Sequence, residues 1–268
     1  MHKIDTYLTQ SLIKDDLVLK DKNVIVVDVL RATTTITTAL ENGAREVIPA
    51  ESVTTAARIS KGLGNSLLCG ERGGKVVEGF NLGNSPFEYK SEIIKGKPLV
   101  FSSTNGTLSI TKARLSKSCA LASFINLSKA VEYIRNINND IVFVCSGKLN
   151  EYCIEDSVCT GLIIYYLMKS DINKYELDDS SLASLHLAKH LIIKFGKPVE
   201  EKILTMLKNS EHGKYLISLG FAEDLNYSSK IDSVPQLPVY HNGTIKLQEA
   251  IENEINQKLP LKKMKISK

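Results

Sequence analysis

Acidic side chains occur at two places in this sequence where a carboxylate is expected to have a positively charged partner, a helix N-terminus or a metal ion. Asp28 lies near the end of the apolar run NVIVVDVL (23–30), and an unpaired carboxylate there would be costly to remove from water. Asp28 is therefore expected either to form a salt bridge with Arg31 or to ligate a metal ion. Glu155 and Asp156 open a predicted helix, where the helix dipole favours acids, so capping and metal ligation both explain this pair.

A glycine-rich stretch, GERGGKVVEGFNLGNSPFE (70–88), carries further reactive groups. Six of its 19 residues are glycine or proline, and glycine costs about 1 kcal/mol per helical position relative to alanine, so a helix is disfavoured. We predict a long, shaped loop, a kind of segment that is usually functional when it is ordered. Glu71 in this loop could hold a hard metal ion, and Arg72, Asn84 and Ser85 could hold an oxyanion.

The turn Ser103-Thr104-Asn105-Gly106-Thr107 follows a predicted strand and opens a predicted helix. Backbone N–H groups and hydroxyls at a helix N-terminus suit an oxyanion, although the same residues also form an ordinary N-cap. His212 is a candidate acid–base group or substrate contact. His186 and His190 have metal-ligand spacing, but no glutamate follows His186, so both are expected to be ordinary core or surface residues.

Repeated strand–loop–helix units are predicted to position these groups. Strands are predicted at 23–30, 46–50, 98–102, 120–122 and 140–145, and helices at 36–42, 52–61, 108–115, 127–136 and 155–170. Residues 1–20 are expected to form an entry strand or short helix. Further helices are expected at 182–195, 199–208, 214–219 and 247–257, with a turn or short helix at 221–229 and extended chain at 231–240.

This alternation is typical of an α/β fold, a layered α/β/α architecture with a mostly parallel or mixed sheet. We expect one domain over 1–268. The alternative is two lobes, with the reactive loops in 23–160 and a helical part in 161–230. Ligands of open parallel sheets bind at the carboxyl ends of the strands, so the loops after the strands at 23–30, 98–102 and 140–145 should share one edge of the sheet.

Composition restricts the function classes. The 268 residues are 43% hydrophobic and carry a net charge of +4, and no basic stripe with interleaved aromatics indicates nucleic-acid binding. The five cysteines show no Cys-x-x-Cys spacing, which favours reduced thiols over disulfides. Because no apolar run approaches the roughly 20 residues of a membrane span, we expect a cytoplasmic protein. The oligomeric state, including a homo-oligomer, is left open.

Several short blocks, taken together and in this order, resemble the 2-phosphosulfolactate phosphatase family. They are VDVLRATTT (27–35), GERG (70–73), GFNLGNSP (79–86), STNGT (103–107), CSG (145–147) with Glu155-Asp156, and SEHG (210–213). The family usually has Asp where Asn81 stands, and Arg where Leu108 stands.

The resemblance implies Mg²⁺-dependent hydrolysis of 2-phosphosulfolactate to sulfolactate and phosphate, in the route toward coenzyme M. We therefore expect a small phosphorylated acid as substrate and Mg²⁺ as cofactor. The alternative is a non-catalytic or altered-specificity relative that binds a small phosphorylated acid, as the changes at Asn81 and Leu108 would allow.

The residues and the resemblance together give a hypothesis for the site. The expected metal ligands are Asp28, Glu71, Glu155 and Asp156. The expected catalytic residues are Asp28, Arg31, Glu71 and His212. The expected substrate-binding residues are Arg72, Asn84, Ser85, Thr104, Asn105, Gly106 and Thr107. In this hypothesis Arg31, Arg72 and the 103–107 turn hold phosphate oxygens, while Asn84 and Ser85 orient the lactate part. Attack by water and a phospho-enzyme intermediate are both left open.

Overall fold

A computed structural model describes residues 1–171, 173–194 and 196–258. The described residues form eleven strands in one sheet. The strands are β1 (His2–Tyr7), β2 (Asn23–Val27), β3 (Glu46–Pro49), β4 (Leu67–Arg72), β5 (Lys75–Val76), β6 (Pro98–Ser102), β7 (Ser118–Ala122), β8 (Ile141–Cys145), β9 (Tyr175–Leu177), β10 (Pro238–His241) and β11 (Thr244–Leu247).

Helices follow most of these strands, as the alternating pattern predicts. They are α1 (Ala32–Glu41), α2 (Val53–Leu63), α3 (Ser91–Ile94), α4 (Gly106–Lys112), α5 (Leu127–Ile137), α6 (Ile154–Ser170), α7 (Asp179–Ala188), α8 (Val199–Asn209), α9 (Glu211–Ser218), α10 (Ala222–Ser228) and α11 (Gln248–Lys258). A π-helical turn over Lys189–Ile193 continues α7, and the predicted end of that helix, Phe195, lies outside the described residues. None of the described helices is long and apolar enough to cross a membrane.

The sheet contains two parallel groups of strands. Its order is β5-β4-β6-β3-β11-β10-β7-β2-β8-β1-β9. The groups β4-β6-β3 and β7-β2-β8-β1-β9 are each parallel. The hairpin β10–β11 lies between them and pairs antiparallel with both β7 and β3. Three antiparallel pairings therefore lie between β3 and β7. Because the number is odd, the strands of the two groups run in opposite directions.

This reversal corrects the expectation that the reactive loops share one edge of a parallel sheet. In a flat sheet the carboxyl ends of β2 and β6 would lie at opposite edges. Nevertheless, residues that follow β2, β6 and β8 line one cavity. The sheet must therefore be twisted and curled so that the ends converge, in keeping with a strand twist of about 20–25° per neighbour.

The hydrophobic core has two main parts, one on each face of the sheet. Ile25 and Val27 of β2 pack in a cluster that includes residues of α5 and α6, such as Ile134 and Leu162. Val24 and Val26, which point to the other face, pack with residues of α1 and α4. Because all five residues of β2 are buried, the continuous β-branched run is explained by helices on both faces, which gives the predicted α/β/α layers.

The 70–88 stretch departs from the prediction of a continuous loop. β4 extends through Arg72 and forms a short hairpin with β5, and only the remainder is irregular apart from a 3₁₀ turn at Pro86–Glu88. Gly70 allows this extension, since its φ is +133° and a Cβ atom there would lie 1.9 Å from the carbonyl oxygen of Ser102. Glu71 is therefore held on a strand, more rigidly than a loop residue would be.

Candidate active site

A cavity of about 200 Å³ lies where the loops after β2, β6 and β8 meet the first turns of α9. Of the predicted site residues, it is lined by Asp28, Arg31, Glu71, Asn84, Thr104, Asn105, Gly106 and His212. It is also lined by Leu30, Gly73, Gly74, Ser103, Lys148, Leu149, Tyr215 and Leu216. The structure thus brings most of the predicted groups to one place.

Asp28 is buried at the end of β2 with one oxygen available. Its Oδ1 accepts a hydrogen bond from the Ala32 N–H at 3.1 Å, while Oδ2 accepts none from a described residue. The pKa of Asp28 is raised to about 6, chiefly by burial and in smaller part by the charges of Glu71 and Glu155, which together outweigh the lowering effects of His212 and the Ala32 N–H. An unpaired, partly desolvated carboxylate oxygen on a cavity wall suits a cation.

The other predicted explanation for Asp28, a salt bridge to Arg31, is wrong. The Arg31 guanidinium donates to Asp224 Oδ2 at 2.7 Å and to the Gly74 carbonyl at 2.8 Å, and it stacks on the Phe221 ring at 4.3 Å. Both side chains of the pair are 2% exposed. Arg31 lines the cavity, but its charge is already matched by Asp224.

Ser85 belongs to this ion-pair network and does not line the cavity. Its hydroxyl donates to Asp224 Oδ1 at 2.7 Å. Asp224 therefore joins the loop after β2 to the Asn84-Ser85-Pro86 segment through two charge-assisted hydrogen bonds. The structure gives Ser85 a supporting role in place of the substrate contact expected for it.

Glu71 joins β4 to the turn after β6. Its two carboxylate oxygens accept hydrogen bonds from the N–H groups of Gly74 and Thr104, each at 2.7 Å. These contacts fix the side chain against the cavity wall while each oxygen keeps a second lone pair. Glu71 therefore retains capacity to bind a cation.

The side chains of Glu155 and Asp156, at the start of α6, have different partners. Glu155 Oε1 lies 3.1 Å from His212 Nδ1, and Glu155 lines a second cavity beside the first. Asp156 lines neither cavity, and its oxygens accept hydrogen bonds from the N–H groups of Val29 and Gly147. Asp156 thus clamps the loops after β2 and β8 together, which explains the acid without metal ligation.

The predicted four-carboxylate metal cluster is not assembled as such. Among the described residues, no three of Asp28, Glu71, Glu155 and Asp156 bring their oxygens within 4.8 Å of one another. Their charges still interact, because burial and the charges of Asp28 and Glu155 raise the pKa of Asp156 well above its usual range. Any metal ion here would therefore use one or two of these carboxylates.

Two other predicted substrate contacts point away from the cavity. The Arg72 guanidinium donates to the carbonyls of Glu71 and Ser102 and to the Ser102 hydroxyl, which completes the end of β6. Thr107 exchanges hydrogen bonds with Ser103 through both backbone and side chain. These residues shape the site's walls and are not among its lining residues.

Two unpaired polar atoms face the same region. Asn84 Oδ1 and Thr104 Oγ1 are buried and have no hydrogen-bond partner among the described residues, and both residues line the cavity. Leaving such an atom buried without a partner costs roughly 1–3 kcal/mol. Atoms of this kind are expected where a ligand completes the hydrogen bonding.

Lys148 is a cavity residue that the sequence reasoning missed. It lies in the loop after β8, and its Nζ sits 4.5 Å from the centre of the Tyr215 ring. Tyr215 in turn donates to the Gly73 carbonyl at 2.9 Å. Since Arg31 is neutralised by Asp224, Lys148 supplies the main unmatched positive charge among the described lining residues.

The positions that depart from the family pattern lie outside the cavity. Asn81 is exposed, and its Oδ1 accepts from the Leu68 N–H at 2.8 Å, so it completes the edge of β4. Leu108 is on α4 and does not line the cavity. Neither difference removes a group from the described site.

His186 and His190 are exposed, as expected for surface histidines. All five cysteines are buried and free, which confirms the prediction of unpaired thiols. Cys153 lies close to Glu155, and burial together with the nearby acids raises the pKa of its thiol. It is therefore not an activated nucleophile.

Gly106 is needed because α4 begins directly against Asp28. A Cβ atom at position 106 would lie 2.4 Å from the Ala32 Cβ and 2.5 Å from Asp28 Oδ2. We expect Gly106→Ala to displace Asp28 and to reduce stability by about 1–3 kcal/mol. Gly62→Ala on α2 is the control, because nothing lies within 4 Å of its Cβ position. Urea unfolding of both variants tests this, and equal stability would contradict it.

Comparisons with known proteins identify relatives over most of this chain. The model of the 2-phosphosulpholactate phosphatase family matches residues 7–243. A probable 2-phosphosulfolactate phosphatase of Caldanaerobacter subterraneus subsp. tengcongensis is 38% identical over 92% of this chain and 98% of its own length. Proteins of the same name from Thermotoga maritima and Caldicellulosiruptor saccharolyticus are each 40% identical, covering 85% and 90% of this chain and 93% and 97% of their own lengths.

Proposed function

This chain belongs to the 2-phosphosulfolactate phosphatase family, and we propose that it hydrolyses 2-phosphosulfolactate to sulfolactate and phosphate with the help of Mg²⁺. The observation that carries this proposal is the unbalanced charge around the cavity. Asp28 and Glu71 line it, while among the described residues neither forms a salt bridge. Buried charges of one sign are costly unless a bound ion compensates them.

The donor set fits Mg²⁺. This ion prefers hard oxygens and commonly binds one or two carboxylates together with waters and substrate phosphate. Asp28 Oδ2 and a Glu71 oxygen would hold it, and Glu155 lies in the adjoining cavity. When bound, the ion would offset the negative charge of the phosphate and of the group being transferred.

The protein's own groups orient the ester. Thr104, Asn105 and Gly106 line the cavity beside Asp28, where α4 begins. The Thr104 N–H already donates to Glu71, so the hydroxyl is the group of Thr104 that remains without a partner. We propose that this turn receives the phosphate oxygens, and that the unpaired Oγ1 of Thr104 donates to one of them. The buried Asn84 amide then contacts the lactate part of the substrate.

His212 is proposed to move the proton. Its Nδ1 faces Glu155 at 3.1 Å, and Nε2 makes no hydrogen bond to a described residue. With Nδ1–H held by the carboxylate, Nε2 takes a proton from the attacking water and returns it to the departing alkoxide. The P–O bond to lactate breaks as the bond to the water oxygen forms, so the products are sulfolactate and phosphate. Radiolabelled phosphate trapped on Asp28 by rapid quench would overturn direct attack by water.

Lys148 is proposed to bind the acid group of the substrate, because it is the unmatched cation among the described residues of the cavity. We expect Lys148→Met to raise KM for 2-phosphosulfolactate by about 10–100-fold, since a hydrogen bond to a charged group contributes roughly 1.5–3 kcal/mol. The effect on kcat should be smaller. The control Lys169→Met alters a lysine in the last turn of α6. A fall in kcat at unchanged KM would assign Lys148 a different role.

The direct test is phosphate release from 2-phosphosulfolactate and from phospholactate, with Mg²⁺ and with EDTA. We expect release that needs Mg²⁺ and is faster with the sulfonated substrate. Release from phospholactate alone would show a changed specificity. No release from either by folded protein would overturn the proposal.

We propose that this reaction belongs to the route toward coenzyme M, as the family resemblance implies. Five buried, free thiols support a reducing compartment, and we propose the cytoplasm. The alternative of a non-catalytic binding protein was motivated by Asn81 and Leu108. Because neither residue lines the cavity, no observation now favours that alternative.

A further inference from the structure

A second cavity of about 220 Å³ lies beside the first and shares Lys148, Leu149 and His212 with it. Its wall contains Cys153, Glu155 and His212, whose candidate ligand atoms all lie within 4.8 Å of one another. Among the described residues, no other group of three or more His, Cys, Asp or Glu side chains brings its ligand atoms within this distance. Cys153 and Glu155 come from the start of α6, and His212 comes from the first turn of α9.

The geometry suits a tetrahedral ion. Two nitrogen or oxygen ligands at about 2.0–2.1 Å from Zn²⁺ lie about 3.3 Å apart, and His212 Nδ1 lies 3.1 Å from Glu155 Oε1. A sulfur at about 2.3 Å from the ion would lie about 3.5 Å from either atom. Because the three ligand atoms lie within 4.8 Å of one another, the Cys153 sulfur needs to come closer to each of the other two atoms by about 1.3 Å at most. The cavity leaves room for a water as the fourth ligand.

The donor types differ from those of the proposed Mg²⁺ site. A thiol and an imidazole favour Zn²⁺ and related borderline ions, whereas Mg²⁺ favours oxygen. Glu151 and Glu211 also line this cavity and add negative charge around the three ligands. We propose that Cys153, Glu155 and His212 form a binding site for Zn²⁺ or a similar thiophilic divalent cation.

Occupation of this site has a consequence that rests on the proposed function. While both residues ligate a metal ion, Glu155 cannot hold the Nδ1–H of His212, and the His212 imidazole cannot transfer the proton. Zn²⁺ is therefore expected to inhibit phosphate release by removing the proton-transferring group. The binding itself does not depend on the reaction, so the two parts can be tested separately.

Binding is tested with Co²⁺ as a spectroscopic probe added to the metal-free protein. The wild-type protein should develop a near-ultraviolet band from charge transfer between cobalt and a thiolate, a band that Co²⁺ bound to carboxylate oxygens alone does not give. Cys153→Ser should lose this band and bind Zn²⁺ at least about 100-fold more weakly, since even outer-shell changes cost 10–100-fold in metal affinity. Cys119→Ser is the matched control, a buried thiol on β7 outside this cluster.

Absence of the thiolate band in the wild type, or its persistence in Cys153→Ser, would overturn the site. If Cys153→Ser does not fold, X-ray absorption of the Zn²⁺-loaded wild type decides the matter. One sulfur neighbour at about 2.3 Å supports the site, and a shell of only nitrogen and oxygen overturns it. Zn²⁺ binding without loss of turnover would overturn the inhibitory consequence, and a protein without any turnover would still give the Co²⁺ result.

Discussion

Asp28→Asn is expected to lower kcat for phosphate release by more than about 100-fold while leaving the protein folded. Asparagine keeps the oxygen that accepts the Ala32 N–H, so the start of α1 should be unchanged. It removes the charge of the unpaired Oδ2, which is proposed to hold Mg²⁺. Loss of a direct ligand should exceed the 10–100-fold that second-shell changes typically cost.

The same substitution should not destabilise the metal-free protein near pH 8. Burial raises the pKa of Asp28 from 3.8 to about 6, so folding disfavours its ionised form. The stability that Asp28 contributes is complete below pH 3.8 and is lost as pH rises through about 6. The substituted amide has no charge to desolvate, so Asp28→Asn should melt at a higher temperature than wild type at pH 8 in EDTA, and the difference should shrink toward pH 4.

Two measurements check this combination of lost activity and kept stability. Steady-state phosphate release gives kcat, and thermal unfolding in EDTA at several pH values gives Tm. Asp179→Asn on α7 is the matched control, because it lines neither cavity. Normal turnover by a folded Asp28→Asn protein would remove Asp28 from the site. A lower Tm at pH 8 would show that its charge is compensated in the metal-free protein.

Asp224→Asn is expected to cause the largest loss of stability, about 3–5 kcal/mol. The substitution keeps the side-chain volume but leaves the Arg31 guanidinium buried without a counter-charge, and breaking one partner of a buried pair typically costs this much. Since 1 kcal/mol shifts Tm by about 2–4 °C in a protein of this size, Tm should fall by roughly 10 °C. The unmatched Arg31 also borders the cavity, so KM should change as well.

Urea unfolding measures this loss, with Glu132→Gln as the control. Glu132 pairs with Lys129 on the surface, where the side chains are 59% and 43% exposed, and an exposed pair contributes about 0–1 kcal/mol. The double variant Arg31→Met, Asp224→Leu should regain much of the stability because it leaves no buried charge. A loss below about 1 kcal/mol in Asp224→Asn would mean that water or another group neutralises Arg31.

Much of the fold could be predicted because hydrophobic patterning is local. The β-branched run of β2 and the helix break at Gly43 are visible in a few residues of sequence. The hairpin β10–β11 could not be placed, since its strands are four residues each and their partners lie more than a hundred residues away. Without it, the opposite directions of the two strand groups were not foreseeable.

The site was predicted less completely for a related reason. Residue types identified Asp28, Glu71 and His212, which share the cavity wall. Residue types could not reveal that Arg31 pairs with Asp224, 193 positions away. Nor could they reveal that Asp156 accepts hydrogen bonds from backbone N–H groups. Lys148 gave no signal, because a lone lysine in a loop is usually a solvated surface group.

The placement of the β10–β11 hairpin has a consequence for how the protein is made. These two strands come after all the other described strands in the chain, yet they supply the pairing that joins the two parallel groups. Chains fold from the N-terminus as they are synthesised. Each group can therefore form while the ribosome is still working, but the sheet becomes continuous only after residue 247 has emerged. The nascent chain should acquire catalytic competence late and abruptly.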